Sequence, residues 1–234
     1  MTQNLREDQS GPSFAVDIAA DAALSPALTA AVVAVAARAE DAAAPPGTCV
    51  TLRIHGPRTG ARFVWPGAVT VGDVGKWEGA LRRLEQVPAP IVAVVDGDAY
   101  GPAAELMLVA DYRIMQAGTT FAFATTGAGV WPAMGLYRLA VQVGVGPARE
   151  AAVHGTSLSA EQARARSVVD AVAGPGAETD AVAAGVAVFA STVGSEVAIR
   201  RRLLLDAATT RFEDALGAHL AASDRALRRE RAAS

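Results

Sequence analysis

Apolar positions along this chain change rhythm repeatedly, and each change predicts an element. Phe14 to Ile18 (FAVDI) alternates with period two, as a short half-buried strand does. From Ser25-Pro26 to about Glu40 the spacing becomes helical, with Ser25 suited to the cap and Pro26 to the first helical position. Ala-Pro-Pro-Gly at 44–47 predicts a turn, and Cys49 to Ile54 (CVTLRI) a strand. His55 to about Gly75 repeats Gly and Pro with little periodicity, which predicts a long functional or mobile loop. Trp77, Leu81 and Leu84 then fall at i, i+4 and i+7, with Arg82 and Arg83 turned outward, on a helix ended by Pro88-Ala89-Pro90. Ile91 to Val95 is apolar without a break, the pattern of a strand buried on both faces.

Downstream, the pattern predicts a helix from about Pro102 to Ala110 and a strand over Tyr112–Met115. A short strand in FAFA and a Gly-rich loop through Trp131-Pro132 follow. Helices are expected over 135–144 and 147–154, a capped helix start at Ser159-Ala160-Glu161-Gln162 and a strand over Val168–Val172. A Gly-Pro-Gly linker at 174–176 leads into a helical region from 179 to about 231. The alternation of helix and strand predicts the α/β class with a largely parallel sheet and a helical C-terminal extension. It divides the chain into a disordered N-terminus at 1–12, a core at 13–175 and a C-terminal helical region at 176–234.

Composition narrows the classes. The chain has 234 residues, enough for one large domain with a sizeable core. A formal net charge of −3 gives no overall attraction to nucleic acid or anionic membrane. Met1 to Ser10 is polar, so no secretory signal is expected, and no uncharged apolar run reaches about 18 residues, so no membrane span is expected. A cytoplasmic protein is the expectation. Cys49 is the single cysteine, which excludes an internal disulfide and a cysteine-rich zinc site. Positive charge is carried almost wholly by Arg, with Lys76 the one lysine.

Most candidate motifs are weak. Gly144-Val145-Gly146 lacks the third glycine of a dinucleotide fingerprint, since position 149 is Arg149, and reads as the approach to a helix at Pro147. No Gly-x-Ser-x-Gly elbow or Walker sequence occurs. His55, His154 and His219 are far apart in sequence, and no metal site is expected. Arg200-Arg201-Arg202 reads as a solvated helix face, with a phosphate contact as the alternative. Glu105 differs from all of these, because it sits in the apolar run PAAELMLVA, where a carboxylate is costly unless it is compensated or used. It would lie in the first helical turn after Pro102. One reading is a helix-start residue satisfied by free backbone N–H groups; the other is a general acid or base with a tunable pKa.

The stretch "PAPIVAVVDGDAYGPAAELMLVADYRI" resembles the central segment of the crotonase (enoyl-CoA hydratase/isomerase) superfamily. "TTFAFATTGAGVWPAMGLYRLAVQVG" and "HGTSLSAEQARARSVVDAV" resemble its next two segments in order. The resemblance implies a spiral of ββα units with C-terminal helices, assembled as a trimer or hexamer. It implies an acyl-CoA thioester as ligand, with coenzyme A part of the substrate and no separate cofactor. It places Glu105 at the position of a catalytic glutamate. Two backbone N–H groups would polarise the thioester carbonyl. One comes from the loop Phe63-Val64-Trp65-Pro66-Gly67-Ala68, at Gly67 or Ala68. The other falls on Pro102, which has no N–H, so that Ala103 or Gly101 would take its place. The second carboxylate of hydratases falls on Thr125, and Thr125, Thr126, Trp131 and Pro102 would line the acyl pocket.

"GVWPAMGLYRL" and the C-terminal "FEDALGAHLAASDRALRR" further resemble the hydratase-like accessory component of dihydroxyphenylglycine assembly in actinobacterial antibiotic pathways. That resemblance implies a dehydratase working beside a type III polyketide synthase towards 3,5-dihydroxyphenylacetyl-CoA. A non-catalytic partner subunit and an enoyl-CoA isomerase are the alternatives.

Overall fold

The computed structural model describes residues 13–41 and 46–233. The disordered N-terminus expected over 1–12 lies outside the described residues, as do the first two residues of the turn at 44–47. The described chain begins with strand β1 (Phe14–Ala19), helix α1 (Pro26–Asp41), strand β2 (Val50–His55) and helix α2 (Val71–Glu85). Ser25 does cap α1, its hydroxyl accepting from the Leu28 N–H at 3.1 Å. Helix α2 starts earlier than the irregular sequence predicts. Thr70 and Asp73 form a reciprocal capping box, which satisfies two otherwise orphaned N–H groups before the apolar stripe begins. Trp77, Ala80, Leu81 and Leu84 are its buried side.

Next come strands β3 (Ile91–Asp96) and β4 (Ala99–Tyr100), helix α3 (Pro102–Met107), and strands β5 (Tyr112–Gln116) and β6 (Thr120–Ala122). A small hairpin, β7 (Thr125–Thr126) with β8 (Gly129–Val130), leads to helices α4 (Met134–Val143) and α5 (Val145–Ala152). Strand β9 (Leu158–Ser159), helix α6 (Ala160–Ala165) and strand β10 (Ala171–Ala173) close the core, with Ser159 and Gln162 forming a second capping box. The strand expected over 168–172 thus lies slightly later. Helices α7 (Glu178–Ala187), α8 (Gly194–Ala207) and α9 (Phe212–Ala233) make up the C-terminal region.

The main sheet is parallel in every pairing, in the order β1-β2-β3-β5-β10. A second sheet pairs β4 with β6 in parallel and β6 with β9 antiparallel. The first two units carry one strand before each helix (β1-α1 and β2-α2), and β3-β4-α3 is a β–β–α unit that contributes one strand to each of the two sheets. Strand β3 explains its unbroken apolar sequence. Ile91, Ala93 and Val95 enter the main core, while Val92 and Val94 face a second cluster made with Val182, Val186 and Phe189 around α7. Helix α3 is buried along its whole length.

The arginine run before Leu203 is not a uniformly solvated face. Arg200 and Arg202 are exposed, but Arg201 turns inward. It donates to both carboxylate oxygens of Asp111, at 2.7 and 2.6 Å, and to the carbonyls of Glu85, Val87 and Ala89. This one guanidinium ties α8 to the end of α2 and the entry of β3, which leaves no phosphate role for Arg201. No helix among the described residues is long and apolar enough to cross a membrane.

Candidate active site

Glu105 is placed by the start of α3. Gly101 adopts φ 58°, a conformation that favours glycine, and a Cβ there would stand 3.2 Å from the Phe63 ring and 3.5 Å from Trp65. The loop carrying Phe63 and Trp65 can therefore close directly over the helix start. Pro102 follows at the first helical position, and the Glu105 N–H donates to the Gly101 carbonyl.

Glu105 is 3% exposed, and its carboxylate accepts from two indoles brought in from elsewhere in the chain. Trp65 Nε1 donates to Oε1 at 3.0 Å, and Trp77 Nε1 donates to Oε2 at 2.6 Å. The two rings meet edge to face with centroids 5.8 Å apart, and both are buried. This arrangement replaces the helix-start account of the residue. Burial pushes the Glu105 carboxyl up to about 7; the indole donors of Trp77 and then Trp65 oppose that shift without cancelling it. Nearby Glu78 adds to the rise and Arg138 counters it. Arg138 of α4 reaches Glu78 at 2.9 Å and Glu85 at 3.3 Å, which neutralises the acidic side of α2 next to the site.

The other residues expected at the site are distributed around this centre. Gly67 and Ala68 follow Trp65 in the same loop, and Ala103 lies two positions before Glu105 in α3. Thr125 and Thr126 are exposed on the β7–β8 hairpin. Trp131 is half-buried against the core, and its backbone N–H donates to the Ala124 carbonyl at 2.8 Å. A cleft of about 700 Å³ opens between β1 and α1, with Asp21, Ser25, Arg38 and His55 among its lining residues. It adjoins the Gly67 loop, because Ala23, in its wall, would lie 2.8 Å from a Cβ at Gly67.

Sequence reasoning overlooked the indoles. Trp77 looks like an ordinary core position on an amphipathic stripe, and Trp65 like part of a loop. A usable signal was present, since a buried indole N–H needs an acceptor and Glu105 is the one carboxylate in the neighbouring apolar run.

Other reactive groups make no contact with the Glu105 carboxyl. His55 lies between Asp17 (3.0 Å) and Asp96 (3.4 Å) at the ends of β1, β2 and β3 and is exposed. Burial pushes the Cys49 thiol up to about 11, so it is not a nucleophile at neutral pH. Among the described residues no group of three His, Cys, Asp or Glu side chains is placed to hold a metal ion.

Solved structures define the class first. An enoyl-CoA hydratase from Bacillus anthracis superposes with a TM-score of 0.78 at 22% identity, over 95% of this chain and 90% of that one. An enoyl-CoA hydratase/isomerase from Marinobacter aquaeolei gives 0.78 at 16% identity, over 97% and 92%. The fold is that of the crotonases, as the α/β spiral expected from sequence requires.

The sequence then gives the family. Residues 75–228 match enoyl-CoA hydratase/isomerase, and the chain belongs to that family. A protein of Amycolatopsis orientalis named enoyl-CoA-hydratase is 43% identical over 211 residues, covering 88% of this chain and 92% of its own length. A short-chain-enoyl-CoA hydratase of Clostridium acetobutylicum is 32% identical over 96 residues, 41% of this chain and 37% of that one.

Proposed function

We propose that this protein is a lyase of the hydratase/dehydratase type, acting on an acyl-CoA thioester with Glu105 as its single carboxylic acid–base. The observation that carries the reading is a buried carboxyl held by two indole N–H donors beside the loop of Gly67 and Ala68, with burial raising its pKa to about 7. A group whose pKa is raised towards neutrality can both take and return a proton. The name of the Amycolatopsis relative supports the hydratase class.

In the dehydration direction, ionised Glu105 removes the proton on the carbon α to the thioester. The electron pair moves onto the thioester oxygen, held by the N–H of Gly67 or Ala68 and by that of Ala103 in place of Pro102. When the enolate re-forms its carbonyl, the β C–O bond breaks, and the proton on Glu105 goes to the departing hydroxyl to make water. Glu105 ends as it began, as carboxylate. Thr125, Thr126 and Trp131 would form the outer wall of the acyl pocket, and the cleft between β1 and α1 would take the remainder of the thioester. Coenzyme A enters as part of the substrate, and the chemistry calls for no other cofactor.

One acid and a reduced set of N–H donors suit a β-hydroxy thioester whose dehydration leads towards an aromatic ring, because that loss of water is strongly downhill. The reading therefore extends to a CoA-linked polyketone made by a type III polyketide synthase, dehydrated towards 3,5-dihydroxyphenylacetyl-CoA, with the protein assembled as a trimer or hexamer. The near-complete burial of Glu105 favours one other reading, a crotonase-fold subunit that binds the synthase without chemistry of its own.

Glu105→Gln separates the two. Assayed with the synthase, the variant should lose about 10²–10⁴-fold in aromatic product while still forming the complex. Undiminished product with an intact complex assigns the protein to the non-catalytic class.

A further inference from the structure

We infer that Trp65 and Trp77 are positioning residues for this reaction, each fixing one oxygen of Glu105 so that the acid is held in one orientation. The inference rests on the acid–base reading of Glu105 and adds to it the means by which the acid is aimed. Of the three tryptophans in the chain, two converge on one carboxylate from separate elements, at 3.0 and 2.6 Å. An indole N–H donates only, so neither ring can accept the acid's proton. Each occupies one lone-pair direction on its oxygen, and the transferable proton is confined to the directions that remain. Both rings are buried and lock each other edge to face, so the carboxyl cannot turn without displacing two large side chains.

Neutral donors suit this task where a guanidinium would not. An arginine fork would grip the carboxylate equally well but hold it ionised well below neutral pH, disabling it as an acid. The two indoles also differ in what they connect. Trp77 ties Glu105 to α2, whereas Trp65 ties it to the loop that goes on to Gly67 and Ala68. Trp65 thereby sets the acid and the carbonyl-binding loop in register.

Trp→Phe substitution at each site keeps a ring and removes the N–H. In full-length protein, Trp77→Phe should raise the pH midpoint of turnover, because a donor that stabilises the ionised form is lost, with KM nearly unchanged. Trp65→Phe should raise the midpoint and also raise KM several-fold. If Glu105→Gln abolishes turnover but neither Phe variant moves the midpoint, the positioning role is wrong while the acid–base role stands. If Glu105→Gln leaves turnover unchanged, the acid–base role itself falls.

A second measurement needs no Trp substitution. In ¹H–¹⁵N spectra of the unaltered protein, two of three indole cross-peaks should shift with one common midpoint near 7, and neither should titrate in Glu105→Gln. Indole signals indifferent to pH through that range overturn the inference.

Discussion

Asp98 and Glu105 lie close in sequence on either side of β4, and the fold removes both from water, yet it treats them in opposite ways. Asp98 accepts from the Arg62 guanidinium at 2.8 Å, the Gly60 N–H at 2.9 Å and the Thr120 N–H at 2.7 Å. Burial alone would push the Asp98 carboxyl up, but Arg62 and the two backbone donors outweigh it and hold the pKa below the ordinary aspartate value. Glu105 is given two neutral indoles and no cation in direct contact, and its carboxyl stays raised. Both side chains are buried, but desolvation weighs more heavily on Glu105, and the charge of the donors differs as well. A cation with backbone N–H groups makes a structural pin that joins the Gly60–Arg62 loop to β6. Neutral donors leave a group that can exchange protons at neutral pH.

The largest expected contrast is in turnover. Glu105→Gln should lower it by about 10²–10⁴-fold, whereas the folded fraction of Asp98→Ala should keep turnover within several-fold of the parent. Equal losses per folded molecule would erase the distinction between pin and proton carrier.

In stability the order reverses. Asp98→Ala strands the Gly60 and Thr120 N–H groups and should cost about 3 kcal/mol in urea unfolding, discounted for the partial exposure of Arg62. A cost below about 1 kcal/mol would mean the pin carries little.

The pH dependence gives the two groups opposite signs. Glu105 has a folded pKa raised from 4.5 to about 7, so its burial favours the native state fully below pH 4.5 and loses that advantage as pH rises to about 7. The wild type should lose about 3 kcal/mol relative to Glu105→Gln between pH 4.5 and 8. Asp98 has a lowered folded pKa. Its contribution is present above the unfolded value of about 3.8 and disappears as pH falls below it. Paired unfolding curves of the wild type and each variant across pH 3 to 8 test both signs.

The smallest effect concerns packing. A Cβ at Gly135 would meet the Phe123 ring at 3.0 Å and the Glu105 Cγ at 3.4 Å. Gly135→Ala should cost about 1 kcal/mol in thermal unfolding and lower turnover more than such a loss explains, because it presses on the acid itself.

Much of the architecture was legible because it follows from local pattern. Strand β1, helix α1 with its Ser25 cap, and the doubly buried β3 are written in periodicity and end signals. Glu105 was legible as a charge out of place. What escaped depends on partners distant in sequence. Helix α2 begins inside a Gly- and Pro-rich stretch, and its start rests on the Thr70–Asp73 box, a short signal hidden in loop-like composition. Trp65 and Trp77 approach Glu105 from 40 and 28 residues away, a convergence no periodicity encodes. Arg201 shares the sequence surroundings of Arg200 and Arg202, and only the docking of α8 turns it towards Asp111.

Burial gives Glu105 an exchangeable proton near neutral pH, and its neutral indole donors oppose that rise without cancelling it. Infrared difference spectra of wild type minus Glu105→Gln, recorded across pH 4 to 9, observe that proton directly. A protonated carboxyl C=O band is expected at acid pH, replaced by carboxylate bands with a midpoint near 7. A midpoint near 4.5, the value of an ordinary glutamate, would contradict it.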